Sequence, residues 1–150
     1  MESRIIGLFP TAFGEYKLPL ADADIYHLIH CVEWHNHHQG YTELPMYQIT
    51  KQNLQDDANF KPLCDLILQC AFEYCNKIGY KPHDLYFTSM WMNKFDSGQA
   101  IGPHTHTNSL LSGVYYLNST PEQGGTEFYN PVSKMRNTIS VSRDDTPFLT

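Results

Sequence analysis

The chain has 150 residues, 41% of them hydrophobic, and a formal net charge of −6 at neutral pH. That is enough length and apolar content for one domain with a core, and it argues against disorder. There is no basic stripe, so no direct nucleic-acid partner is expected, and no apolar run reaches the length of a membrane span. The first ten residues lack the apolar core of a signal peptide, which makes the cytoplasm the expected compartment.

Residues 5–13 are short and apolar, broken by Gly7 and Pro10, and read as an opening strand and a turn. Residues 22–38 predict a first helix, with Asp22 or Asp24 as its cap. Ile25, Leu28, Ile29 and Val32 would form its core stripe. The histidines crowding its far end (His30, His35, His37 and His38) read as surface. Residues 40–59 are polar and read as a long connection with one short strand at 46–49. Residues 60–78 predict a second helix, capped by Asn59, with Pro62 in its first turn and Gly79 as its stop. Leu63, Ile67, Cys70, Ala71, Tyr74 and Ile78 share one face of it, a face wide enough to pack on a sheet. Cys31, Cys64, Cys70 and Cys75 match neither zinc-knuckle nor C-x-x-C spacing and read as small buried hydrophobes.

Residues 85–95 alternate as a strand in which Trp91 is a core anchor and Asn93 lies on the same face. A polar side chain on an inward face needs a partner, and a bound ligand could be that partner. The turn Asp96-Ser97-Gly98-Gln99 leads back to Gly102-Pro103-His104-Thr105-His106. On extended chain, His104 and His106 project from one face, roughly 6.5–7 Å apart along the backbone, close enough to lean onto one metal ion. The apolar run over residues 110–117 reads as a buried strand behind them. Two more short strands are expected at residues 126–129 and 137–142. Two helices followed by several short strands make an α+β domain, with the whole chain, 1–150, as one domain. Imidazole suits iron, zinc, copper or nickel, and the spacing does not choose among them.

Taken together, Trp91-Met92-Asn93, the Gly98 turn, Pro103-His104-Thr105-His106, Ser112-Gly113-Val114-Tyr115-Tyr116-Leu117-Asn118, Gly124-Gly125, Phe128 and Asn130-Pro131 resemble the 2-oxoglutarate/Fe(II) oxygenases of bacteria and marine T4-like phages. Prolyl hydroxylases are similar at a greater distance. The resemblance implies a double-stranded β-helix, a jelly-roll or cupin-like barrel with the N-terminal helices packed on it. It implies a dioxygenase, a hydroxylase of unknown substrate, that uses iron(II), 2-oxoglutarate and dioxygen, with ascorbate as an accessory reductant. His104 would be the first iron ligand. His106 falls where the wider superfamily usually has an aspartate, and Asn108 is the other candidate there. Tyr116 matches the tyrosine that bonds the 2-oxoglutarate carboxylate, and Asn93 is a second candidate for that pocket. If the source is viral, the compartment would be the host cytoplasm.

The family also uses a distal histidine followed by an arginine on late strands. No histidine follows His106, and Arg136 and Arg143 come early for the arginine. The expectation is therefore a barrel whose C-terminal strands are missing from this chain. Its open strand edges would favour a homo-oligomer. Two other readings stand beside the oxygenase. One is a non-catalytic jelly-roll phage structural or accessory protein derived from the fold. The other is a zinc- or nickel-binding cupin.

Overall fold

The structure, a computed structural model, describes residues 11–38, 46–120, 123–129 and 138–141, the last stretch as backbone only. The expected opening strand before residue 11, residues 40–45 of the 40–59 connection, Pro121, Asn130-Pro131, Arg136 and Arg143 lie outside the described residues. Helix and strand are both present, as the patterning requires. The chain divides into two units, one drawn from Met1–Cys31 and Gln52–Met90, the other from Val32–Lys51 and Trp91–Thr150.

The first unit holds both helices. Helix α1 spans Asp22–His30. Its N-cap, Ala21, makes no side-chain hydrogen bond; Asp22 and Asp24 stand in the first turn, where they favour the positive end of the helix dipole. Neither caps it, in contrast to the sequence expectation. The helix also stops at His30, eight residues short of the expected end. The Cys31 amide closes the last turn on the His27 carbonyl at 2.9 Å, and beyond it the chain goes extended rather than continuing the helix. His30 folds back onto its own helix: its ring stacks on Tyr26 at 3.9 Å and its Nδ1 donates to the Tyr26 carbonyl at 2.7 Å. That suits a surface histidine.

Two 3₁₀ turns, Leu54–Asp56 and Ala58–Phe60, lead into helix α2, Lys61–Lys77. Asp57, rather than Asn59, acts as the cap here: its Oδ1 accepts from both the backbone and side-chain nitrogens of Asn59 at 3.0 Å. Pro62 sits in the first turn of α2, where its missing N–H costs nothing. At the far end, Gly79 adopts a left-handed φ of +81°. The Tyr80 amide bonds the Cys75 carbonyl at 2.8 Å and the Gly79 amide bonds that of Asn76 at 3.1 Å, the paired bonds of a Schellman cap. The residues of α2 that are fully covered are Leu63, Cys64 and Cys75, while Ile78 is half exposed, so the covered stripe is rotated from the expected one. Leu28, Leu54 and Phe60 are the other buried apolar side chains among the described residues of this unit.

A short stretch before α1 is tied to α2. The Tyr74 hydroxyl donates to the Ala12 carbonyl at 2.9 Å. Gly14 lies so close to the Tyr74 ring that a Cβ there would meet its Cδ2 at 2.7 Å, so only glycine fits without movement.

The second unit holds the sheets. Strands β1 (His35–His37), β2 (Tyr47–Ile49) and β3 (Asn93–Lys94) form an antiparallel three-stranded sheet in that order. Tyr47 lies opposite His37, and Ile49 lies between His35 and Asn93. The expected strand over residues 85–95 is thus mostly irregular, and only its end is laddered. Its partner β2 is three residues long, and a strand extends only as far as its neighbour does. One step beyond the ladder, Thr50 continues the pairing: its amide donates to the Met92 carbonyl at 3.1 Å, and its hydroxyl accepts from the Met92 amide at 3.0 Å. Strands β4 (Thr126–Tyr129) and β5 (Thr138–Val141) pair antiparallel, with Phe128 opposite Ile139.

Residues 110–117 overturn the expectation of a buried strand. They lie outside regular secondary structure, and Leu110 and Val114 are 61% and 64% exposed. An apolar run marks a strand only when another strand is at hand to bond its backbone, and sequence period says nothing of that partner.

Candidate metal centre

The turn that aims the histidines forms as expected. Gly98 takes a positive φ of +83°, and Asp96 and Gln99 exchange bonds: the Gln99 amide donates to the Asp96 carbonyl at 3.1 Å, and the Asp96 amide donates to Gln99 Oε1 at 2.8 Å. Gly102-Pro103 then sets the approach, because proline fixes its own φ and pushes the residue before it toward extended backbone. After His106 the chain turns at Thr107-Asn108, where Asn108 holds a φ of +61°. Asparagine is one of the few non-glycine residues that visit this region readily. His104 to His106 lies outside regular strand, and the left-handed turn at Asn108 keeps that residue from repeating the spacing of the two histidines.

The two imidazoles lie side by side, with ring centroids 5.0 Å apart and planes at 77°. Rings that share one ion through nitrogen bonds of about 2.1 Å would have centroids roughly 5 Å apart at near-octahedral or tetrahedral angles. His104 Nδ1 lies 2.9 Å from the Gly102 carbonyl. A carbonyl only accepts, so Nδ1 carries the proton, and in the neutral ring Nε2 presents its lone pair. A backbone carbonyl on the far nitrogen is a common way of orienting a metal-binding histidine. Nothing in the sequence pattern announced it. His106 packs against Trp91, with centroids 5.4 Å apart at 47°. Both histidines are exposed. Among the described residues, no group of three or more histidine, cysteine, aspartate or glutamate side chains is placed to hold a metal.

The other two candidates lie on the same unit. Asn93, in β3, has its Oδ1 buried and without a hydrogen-bond partner among the described residues. A buried acceptor left unpaired costs about 1–3 kcal/mol, so it is a place where a ligand donor would be welcome. The Tyr116 hydroxyl shares a 2.7 Å bond with Thr126 Oγ1 at the start of β4. Two hydroxyls joined by one bond use one proton and leave the other free to donate. Thr126 was not foreseen, since ten residues and an uncharted loop separate the pair.

The cysteines offer no competing centre. All four are free, and burial, the largest cause, pushes the Cys31, Cys64 and Cys70 thiols up. Nearby carboxylates (Asp57, Asp65 and Glu73 respectively) push the same way. Raised thiols are poor nucleophiles and poor metal ligands at neutral pH. No helix among the described residues is long and apolar enough to cross a membrane.

Residues 89–149 match the family described as “Putative 2OG-Fe(II) oxygenase”. Among curated proteins, an uncharacterized protein of Acanthamoeba polyphaga mimivirus, R390, is 28% identical over 108 residues. That match takes in 59% of this chain and only 13% of the viral protein. No solved structure matches the chain significantly. The stretch with the family match contains Trp91, Asn93, His104, His106 and Tyr116, and it supports the resemblance to the 2-oxoglutarate/Fe(II) oxygenases read from those residues.

Proposed function

We propose that the chain serves a non-haem iron(II)- and 2-oxoglutarate-dependent dioxygenase, a hydroxylase, with His104 and His106 as iron ligands. The observation that carries this is the pair of imidazoles 5.0 Å apart, one of them fixed through Nδ1 with Nε2 open, inside the segment that matches the family. The donor chemistry fits: neutral imidazole nitrogen is a good ligand for iron(II), although it shares that property with zinc, copper and nickel. Bound there with dioxygen and the oxo-acid, iron would supply the oxidising power for hydroxylation.

The chain's own residues do the binding and orienting. The Gly102 carbonyl holds His104 in the tautomer that presents Nε2. Two neutral ligands leave an ion's positive charge uncancelled, which favours an anionic chelator such as 2-oxoglutarate beside it. Tyr116, with Thr126 taking up one bond, has a proton to give to a carboxylate. Asn93 Oδ1 is an acceptor in need of a donor, which a hydroxyl or a bound water could supply. The family reading also implies a double-stranded β-helix as the fold.

The test is titration with cobalt(II), or with iron(II) under anaerobic conditions, of the parent, His104→Ala and His106→Ala. Each variant should lose at least tenfold in affinity, because each removes a ligand. Protons should compete with the metal, because an imidazole binds it only through an unprotonated nitrogen. Parent-like affinity in both variants would sink the assignment. It would favour the second reading, a non-catalytic module with a polar turn, which the exposure of both rings supports.

A further inference from the structure

The two histidines are held in different ways. His104 is oriented by a hydrogen bond to the Gly102 carbonyl. His106 makes no hydrogen bond among the described residues; its ring is bounded by Trp91 at 5.4 Å and by His104 at 5.0 Å. An exposed histidine at a turn would otherwise sample several rotamers, and an incoming ion would have to overcome that entropy.

Trp91 is well placed to remove that freedom. The next residue, Met92, is buried, and both of its backbone groups are tied to Thr50, the carbonyl to the Thr50 amide and the amide to the Thr50 hydroxyl. The indole therefore projects from a fixed point on the end of the β2–β3 ladder, and it is itself half-buried. It presents a broad, stiff ring with only two side-chain torsions.

We propose that Trp91 is the positioning residue of His106, a wall that preselects the ring orientation used for metal binding. This rests on the reading of His104 and His106 as metal ligands. Trp91 itself contributes no ligand atom, so its effect should appear as a change in metal affinity and as an optical signal.

The chain has two tryptophans, so Trp34→Phe leaves Trp91 as the sole indole reporter. Cobalt(II) is the probe, followed by calorimetry and by indole emission. In the Trp34→Phe protein, saturating cobalt(II) should quench Trp91 emission, and His106→Ala should weaken the cobalt affinity and the quenching together. Trp91→Phe keeps a ring against His106 and should bind within about twofold of the parent. Trp91→Leu keeps apolar bulk without the ring and should bind about tenfold more weakly, the scale of losing a group that orients a ligand. Parent-like affinity in Trp91→Leu, with both histidine variants weakened, would overturn the role of Trp91 and leave the ligands standing. Parent-like affinity in the histidine variants would overturn both. If Trp91→Leu fails to fold by circular dichroism, the emission experiment decides: histidine-dependent cobalt binding with no quenching of Trp91 overturns the proposal.

Discussion

Thr50 shows how much one hydroxyl can hold. It is 3% exposed, its Oγ1 accepts from the Met92 amide, and the same hydroxyl donates to the Lys51 carbonyl at 3.0 Å. Valine has the same shape without the oxygen. Thr50→Val would leave the Met92 amide without its acceptor in a buried setting, at a cost of about 1–3 kcal/mol. Thr50→Ser should keep most of the bond. Urea unfolding of both variants checks this, and equal stability of valine and serine would refute it. The residues of the proposed metal centre differ in how far pattern alone revealed them. His104 and His106 came from their spacing, and Asn93 from alternation against Trp91. The Gly102 contact is local but turns on a side-chain rotamer, and the Thr126 contact depends on how a loop closes; a hydrophobic pattern encodes neither.

At the level of elements, helix α2 shows what local signals can fix. Pro62 near its start and Gly79 past its end bracket it, and the structure ends it one residue from the expected bound. Gly79 has open space around the position of a Cβ, so Gly79→Ala meets no clash and pays only for the left-handed backbone. The expected loss is about 1–2 kcal/mol, read from a urea or thermal midpoint. Gly79→Asn should lose less, because asparagine tolerates that region. A Gly79→Ala protein as stable as the parent would mean that the Schellman cap contributes little. Helix α2 was legible in this way, whereas the sequence reading carried α1 eight residues past its end at His30. β1 was not: His35-Asn36-His37 carries no strong strand pattern and is a strand because Tyr47–Ile49 lies beside it. Residues 110–117 fail in the opposite sense, with a strong strand pattern and no ladder.

For the whole molecule, the division into two units makes a prediction about how a ligand is felt. The proposed metal ligands and the three-stranded sheet belong to the unit drawn from Val32–Lys51 and Trp91–Thr150. An ion that binds only the folded form stabilises it by about 2.7 kcal/mol at a hundred times its dissociation constant. Hydrogen exchange with saturating cobalt(II) should therefore slow in β2 and β3 and change little in α2. Equal slowing in both would show that the two units open as one.

The order of the chain has a further consequence, for synthesis. The first unit is built from Met1–Cys31 and Gln52–Met90, with Val32–Lys51 inserted between them. On the ribosome, α1 is synthesised before any part of α2. At nine residues it is below the length at which a lone helix holds in water. It must wait as nascent coil until the Asp57–Asn59 turn arrives, where Asn59 Oδ1 lies 3.1 Å from His27 Nε2.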